Sequence, residues 1–440
     1  MKKLLIISYL FAPIQAIGAI RWTKLAKYLT RMGVEVDVIT TASLKQSDPL
    51  LARDAEGIHV IHRIPHSSPE FSVNSGGFGA VAKPPSGESK IKALIRKSPV
   101  NLLRRYINNK KSVWKGAKYD YARGKDFAEQ AEEYIENNIN VADYDAVVAS
   151  FGPVGNTLVA LWIKERYPET RLIMDFRDTM ARSSTTWAVR GAYFRMQKDI
   201  CEVADELVTV TDGCANEIFG RWYGTAKAHI VCNGYDPEDF VAAAAKSNEK
   251  FSFAYTGQVY IDKQRLAPIF FALARLTAEG ILNIGEIEFQ YAGWHGNYLR
   301  DMAEKYGMAD IIIDHGVLPR GEALKLQQSS RFLALASWNS RGDEGVLTGK
   351  LFEYMMAERP IIATVTGNLA DSELRRVIER GRLGVVHEQA DPGSDDRLYE
   401  YLKREAIRYR QGQKAEFSPD EDYVAGFSYE ELAKKVEKLI

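Results

Sequence analysis

At 440 residues the chain exceeds what one ordinary hydrophobic core supports, so two domains are expected. Hydrophobic residues make up 46% and charged residues 26%, with 58 basic against 58 acidic side chains, which excludes a disordered chain and gives no global footprint for nucleic acid. Cys201, Cys214 and Cys232 show no metal-ligand spacing and fit a reducing compartment, and no run reaches the roughly 20 apolar residues of a membrane span.

Lys2 and Lys3 precede the apolar residues 4–7, a faint echo of a signal peptide. The run is short and leads through Ser8 into a loop, so residues 4–10 predict a buried parallel strand instead. Residues 11–19 form the following loop and 20–32 a helix, with Trp22, Leu25, Ala26 and Leu29 on one side and Gly33 at its end. Strands are expected at 34–40 and 58–64. This opening is that of a doubly wound sheet, where ligands gather at the carboxyl ends of strands. Gly18, Ala19 and Arg21 are therefore candidates for a cleft or acceptor site, with a plain turn as the other reading of Gly18. His59, His62 and His66 lie close in sequence, the first two are read as alternating in one strand, and no metal is assigned to them.

Residues 65–87 are rich in Ser, Gly and Pro and predict an irregular loop. Residues 90–125 are strongly basic, including Lys90, Arg96, Lys97, Arg104, Arg105 and Lys125, against a lone acid, Asp120. Aliphatic residues such as Ile91, Leu94, Leu102 and Leu103 interleave with the charges, with Pro99 as a break. Basic helical pieces with an apolar stripe suit an anionic membrane surface, and the alternative is a helix packed on its own domain with solvated charges. Nucleic-acid binding is disfavoured because the excess charge is confined to this segment.

Asp120 is read as the cap of a long helix ending near Asn138. A strand at 145–150, a loop at 151–155 and a helix at 156–167 follow. The strand 171–176 runs into DFRDTM, which puts Asp175, Arg177 and Asp178 at a carboxyl end, as site residues or as an Arg–Asp pair bracing the loop. Strands 206–210 and 228–232 complete the first sheet, CNGYDPEDF makes a tight turn, and 241–250 has the composition of a linker. A second alternation places strands at 251–256, 287–292, 311–314, 332–337, 361–365 and 383–387, with helices between them and a final helix at 428–440.

The stretch 345–364, GVLTGKLFEYMMAERPIIAT, has the helical spacing of Leu347, Leu351, Tyr354 and Met355. Thr348 and Gly349 fall at the start of that helix, where backbone N–H groups lack helical partners and the partial positive charge suits a phosphate. Lys350 adds a full charge, and Glu353 one turn on can hold a sugar hydroxyl. The bland alternative is an ordinary strand–helix–strand unit with a solvated Lys and Glu.

Six segments, in order PIQAIGAIRWTKLAKYL, DFRDTM, CNGYDPEDF, YTGQVYIDK, HGVLPRGEALKLQQSS and TGKLFEYMMAERPII, resemble those of retaining GT-B glycosyltransferases. The family is the large one of bacterial polysaccharide and lipid-sugar transferases, glycosyltransferase family 4 of the group 1 type, and the likeness covers almost the whole chain. The resemblance implies an α/β protein with two Rossmann-like doubly wound domains facing across a cleft. It implies an acceptor domain at 1–240 with a basic insertion at 65–125, a nucleotide-sugar donor domain at 251–425, and a helix at 426–440 crossing back to the first domain. The implied reaction is retaining hexosyl transfer from a UDP- or GDP-linked sugar to a lipid-linked or saccharide acceptor in cell-surface polysaccharide biosynthesis. No cofactor, metal or nucleic acid is implied, and the place is cytoplasmic, peripheral on the inner face of the cell membrane.

Residue by residue, the resemblance makes Lys263 the lysine on the donor diphosphate, beside Gly257, which ends a strand and permits close approach. Gln258 stands where the family has an arginine, with Arg265 as a candidate replacement. Val317 and Leu318 match the base-binding loop, and Leu347, Thr348, Gly349 and Lys350 the donor helix. Glu353 matches the second of two family glutamates, on the ribose, where a carboxylate accepts from both hydroxyls. The first glutamate falls on Gly345; Glu344 is displaced by one, with Asp343 beside it. Lys263, Glu344 and Glu353 form the implied catalytic set, and the leaving diphosphate helps deprotonate the acceptor on the same face. A sugar-nucleotide epimerase on the same fold and a non-catalytic nucleotide-sugar binding protein are the alternatives.

Overall fold

Long apolar runs build two parallel sheets whose central strands are buried on both faces, which is why they read as continuous rather than alternating. The computed structural model describes residues 1–14, 16–42, 47–68, 99–180, 187–220, 228–240, 249–261 and 263–440, with side chains in the helices at 99–138 and 187–203 described from 116 and from 190. Most of the loop 65–87, residues 90–98 of the basic segment and residues 241–248 of the linker thus lie outside the described residues. The chain divides into two units.

The first unit comprises Met1–Thr209 with Ala226–His229 and Val436–Ile440. Its strands are β1 (Lys3–Ile7), β2 (Glu35–Thr41), β3 (Val60–Ile64), β4 (Ala146–Ser150), β5 (Leu172–Phe176), β6 (Glu206–Thr209) and β7 (Ala228–Ile230), in the order β3-β2-β1-β4-β5-β6-β7. Strands β1 to β6 pair in parallel, with Leu4 opposite Val36 on one side and Ala146 on the other. The strand order reverses between β1 and β4, the usual ligand position in such sheets. Asn156 fixes the two strand ends at this point: its side-chain oxygen accepts from Tyr9 N–H at 2.9 Å and its amide donates to the Ser150 carbonyl at 2.6 Å. At the other edge of the chain, Lys2 pairs with Glu437 at 2.8 Å and Arg171 donates to the Leu439 carbonyl at 2.7 Å.

Three expectations change here. The helix Ile17–Arg31 is buried on nearly all sides, not along one stripe, because Lys24 and Lys27 both reach the buried carboxylate of Asp54. Asp120 is not a cap. The helix runs from Pro99 to Asn138, with Pro99 in its first turn where the missing N–H costs nothing, and Asp120 lies mid-helix, paired with Arg123 at 3.1 Å. Gly124 of this helix meets Val154 and the Gly155 backbone so closely that a Cβ would lie 2.7 Å from Val154 Cγ1, which lets the helices Pro99–Asn138 and Gly155–Arg166 cross in contact. The histidines diverge: His59 Nδ1 sits 2.8 Å from Asp37, His62 Nδ1 2.9 Å from the Tyr134 hydroxyl, and His66 Nδ1 2.6 Å from Asp126. His59 lies just before β3, so it and His62 do not share the strand's alternation.

The second unit comprises Val210–Thr225 and Ile230–Lys435. Its strands are β8 (Phe251–Thr256), β9 (Ile287–Ala292), β10 (Ile312–Asp314), β11 (Phe332–Trp338), β12 (Ile361–Thr366) and β13 (Gly384–Glu388), in the order β10-β9-β8-β11-β12-β13, all parallel. Here the order reverses between β8 and β11. An aromatic cluster of Phe251, Phe253, Phe289 and Phe332 fills one face of the sheet beneath the helices Ala267–Ala278, Gly296–Glu304 and Ser394–Arg410. Among the described residues no helix is long and apolar enough to cross a membrane.

Candidate functional site

The carboxyl ends of β8 and β11 bring together residues that sequence spacing keeps 80 or more positions apart. Strand β8 stops at Gly257, whose φ of +100° few L side chains adopt. A Cβ there would lie 3.0 Å from Lys350 Cε, so the glycine admits both the turn and the lysine. Lys350 lies in the first turn of the helix Gly349–Met356, which Thr348 precedes with no side-chain cap. Its ammonium donates to the Gln258 carbonyl at 3.3 Å and sits 5.2 Å from the Tyr255 ring centre. Burial pushes Lys350 down to about 8, partly offset by Glu353.

Lys263 enters from the loop after β8. Its ammonium contacts the Asp343 carboxylate and lies 4.6 Å above the Trp338 ring, and Tyr260 packs edge-on against the same ring at 5.7 Å. Two buried polar atoms at this place, Thr348 Oγ1 and Trp338 Nε1, have no hydrogen-bond partner among the described residues. Buried donors and acceptors without partners are costly, so a set of them beside two cations marks a place shaped for a polar ligand.

One turn along, Glu353 faces Gln327 Nε2 at 3.4 Å and Arg320 Nε at 3.9 Å. Arg320 opens the helix Arg320–Ser329 and pairs with Asp239 at 2.9 Å. In the loop after β10, Val317 is exposed and Leu318 half-buried. Leu347 is half-buried in the segment leading to the helix, and Gly349 is exposed at its start. Glu344 is exposed and lines, with Asn216, Asp371 and Arg376, a polar recess of about 190 Å³.

Gly345 has φ +69°, and a Cβ on it would lie 2.6 Å from Gly213 Cα. Two glycine backbones are in contact, so no side chain fits where the resembled family has its first glutamate. The short helix Asp212–Ile218 that brings Gly213 there is held by Glu373, which accepts from the Asp212 and Gly213 N–H groups at 3.2 Å each.

In the first unit the candidates are engaged differently. Gly18 lies in the first turn of the helix Ile17–Arg31, and a Cβ on it would lie 2.6 Å from Arg177 Nη1. Ala19 is fully buried. Arg21 is 2% exposed and grips Asp175 with two hydrogen bonds, of 3.2 and 2.9 Å. Arg177 donates to the carbonyls of Phe151 and Gly152 at 3.1 and 2.8 Å. The ion pair of the DFRD segment is therefore Arg21–Asp175, and Asp178 is exposed beside it.

Sequence reasoning missed two glutamines. Gln264, fully buried, donates to the Ala336 carbonyl at 2.6 Å and accepts from Tyr260 N–H at 2.9 Å, tying the Lys263 loop to β11. Gln327, also fully buried, donates to Thr256 Oγ1 at 2.8 Å. Its signal was present: Leu324, Gln327 and Gln328 fall three and four apart on the buried side of one helix.

No family model matches the chain, and no curated protein matches it. Solved structures do. A sucrose-phosphate synthase from Thermosynechococcus elongatus superposes with a TM-score of 0.61 at 12% identity, over 100% of this chain and 98% of that one. HepE from Anabaena, in complex with UDP and glucose, gives 0.58 at 11% identity, over 100% and 99%. The lipopolysaccharide outer core galactosyltransferase WaaB in its apo form gives 0.57 at 12% identity, over 100% and 99%. Identities this low speak to architecture alone, and on the two parallel sheets and these full-length matches the chain has the GT-B fold.

Proposed function

We propose that this protein is a glycosyltransferase that takes its sugar from a nucleoside diphosphate sugar. The observation that carries the reading is the pair Lys350 and Lys263 beside the uncapped helix start at Thr348 and Gly349, at the strand-order reversal of the second unit. Two cations and free backbone N–H groups suit a diphosphate. In this reading Gly257, Gln258, Thr348, Gly349 and Lys350 cradle the diphosphate, Lys263 exchanges Asp343 for it, and Glu353 takes the ribose hydroxyls, with Val317 and Leu318 under the base. Support also comes from neighbours of the same fold solved with UDP and glucose and with UDP-glucose.

The transfer we propose retains anomeric configuration. The bond from the sugar C1 to the diphosphate oxygen breaks, the bond from C1 to the acceptor oxygen forms on the same face, and the acceptor proton passes to the leaving diphosphate. The cations lower the barrier by stabilising charge that grows on that diphosphate, in a half-buried place where Lys350 is only partly hydrated. The acceptor is proposed to be a lipid-linked saccharide presented at an anionic membrane, which the basic segment 90–125 engages peripherally. Of that segment's described cations, Arg123 pairs with Asp120 and Lys125 with Glu129, and Lys118 is exposed.

A thermal-shift series with UDP, GDP and other nucleoside diphosphates tests the donor site, and turnover of the matching sugar nucleotide with a membrane lipid extract tests the reaction. Lys263→Ala and Glu353→Ala are expected to reduce transfer strongly without unfolding the protein. Absence of any nucleotide-induced shift at millimolar concentration sinks the donor reading, and conversion of the sugar nucleotide without an acceptor would favour an epimerase. Flotation with anionic and neutral vesicles tests the membrane step: replacing Arg96, Lys97, Arg104 and Arg105 by Gln should release the protein from anionic vesicles, and indifference of the wild-type protein to them at low salt ends that part of the proposal.

A further inference from the structure

Trp294 is 71% exposed, an unusual position for the largest apolar side chain, and it projects from the loop after β9. Its backbone is pinned on both sides. On one side, Gly293 donates to the Gly316 carbonyl at 2.7 Å, and a Cβ on Gly293 would lie 2.5 Å from the Gly257 carbonyl oxygen. On the other, His295 N–H donates to the Tyr291 hydroxyl at 2.9 Å, and that hydroxyl donates to the Gly257 carbonyl at 3.3 Å. Burial raises Tyr291 to about 12, so its hydroxyl keeps the proton that this second bond needs. The backbone that carries the indole is thus held one strand away from Gly257, and the Gly293–Gly316 bond joins it to the loop that carries exposed Val317.

We infer that Trp294 is the stacking platform for the base of the nucleotide whose diphosphate lies at Lys350, and that it sets how strongly the protein binds the nucleoside part of its donor. The inference rests on the donor reading above. The occupant is argued from position: the flat exposed ring lies on the carboxyl edge of β9, between β8, which carries the anion site, and β10, whose loop presents Val317. A diphosphate held at β8 sends its nucleoside along this edge, and adjacent strands are about 4.8 Å apart, so the base comes within reach of the indole. The held backbone also means that little loop ordering has to accompany binding.

The experiment measures binding of UDP, GDP and inorganic pyrophosphate to the wild-type protein and to Trp294→Ala and Trp294→Phe, by calorimetry and by quenching of indole fluorescence. Base stacking on an aromatic ring predicts that Trp294→Ala weakens whichever nucleoside diphosphate binds by roughly ten- to a hundredfold. Pyrophosphate, which has no base, should bind all three proteins alike. Trp294→Phe should stay within about threefold of wild type, since a smaller ring still stacks. If Trp294→Ala binds the nucleoside diphosphate as tightly as the wild type, the platform is wrong and the donor reading stands. If its loss is the same for pyrophosphate, the residue acts on loop structure and the inference is likewise overturned. If neither UDP nor GDP binds the wild-type protein while the anion site binds pyrophosphate, the donor reading itself falls, and this inference with it.

Discussion

The two sheets share one plan, an order that reverses beside the first strand of each, yet the charges at the two reversals are treated in opposite ways. In the first unit Asp175 accepts from Arg21, from Trp22 Nε1 at 2.8 Å and from Ser150 Oγ at 2.8 Å, and all four side chains are buried. Arg177 is spent on two carbonyls. In the second unit Lys350 has one carbonyl at 3.3 Å, Lys263 has an aspartate at a partly exposed place, and Thr348 Oγ1 and Trp338 Nε1 have no partner among the described residues. A network whose groups satisfy one another holds a fold together; a site whose cations are underused is prepared for a ligand. Topology marks both places as candidates, and the pattern of satisfaction separates them.

The largest way to break this comparison is Asp175→Asn. It leaves the Arg21 guanidinium buried beside a neutral amide, and removing one partner of a buried pair costs about 3–5 kcal/mol. Urea unfolding followed in the wild type and variant is expected to show a loss of that size. A loss below about 1 kcal/mol would mean that Arg21 is not held by its carboxylate.

Lys350→Met should do the opposite, sparing stability and damaging binding. A hydrogen bond to a charged group is worth about 1.5–3 kcal/mol, so affinity for the nucleoside diphosphate is expected to fall roughly ten- to a hundredfold. The same lysine predicts a pH limb. Its folded-state value of about 8 lies below the ordinary lysine range, so the free protein loses this charge as pH rises through about 8, and ligand affinity should fall across that window. An anion raises the value when it binds, so protons are taken up on binding, which calorimetry in buffers of different ionisation enthalpy reads directly. In Lys350→Met both the limb and the proton uptake should vanish.

Gly345→Glu sharpens the comparison from the side of the resembled family by supplying its missing carboxylate. The left-handed backbone costs an L residue about 1–2 kcal/mol, and the contact with Gly213 adds to it. Thermal unfolding should show this destabilisation with no gain in transfer. A stable, faster variant would show that the two glycine backbones separate freely. The smallest effect is expected from Asp343→Asn. Freeing Lys263 from a surface pair worth about 0–1 kcal/mol should tighten nucleoside diphosphate binding by at most a few fold, whereas removing the partner of Arg21 is harmful. Weaker binding in Asp343→Asn would mean that the carboxylate orients Lys263 rather than competing for it.

The strands and their parallel class were legible in the residues alone. Runs such as FSFAYT at β8 and FLALASW at β11 are buried on both faces, so hydrophobicity alone specifies them: β8 has the expected ends and β11 runs one residue further, whereas β1, expected to reach residue 10, stops at Ile7 where the chain turns into a loop. The sequence also placed Thr348, Gly349 and Lys350 at a helix start, because local hydrogen-bond geometry follows from local spacing. The fold settled which charges meet. Arg21 and Asp175, Lys24 and Asp54, or Lys263 and Asp343 are far apart in the chain, and their pairing depends on which strands become neighbours. It alone decided that Asp120 lies inside a helix of 40 residues, since Pro99 is tolerated as a first-turn residue and reads as a break only when no downstream packing is known. It alone explains Gly345, whose glycine is required by a backbone crossing from Gly213, a contact that no local pattern carries.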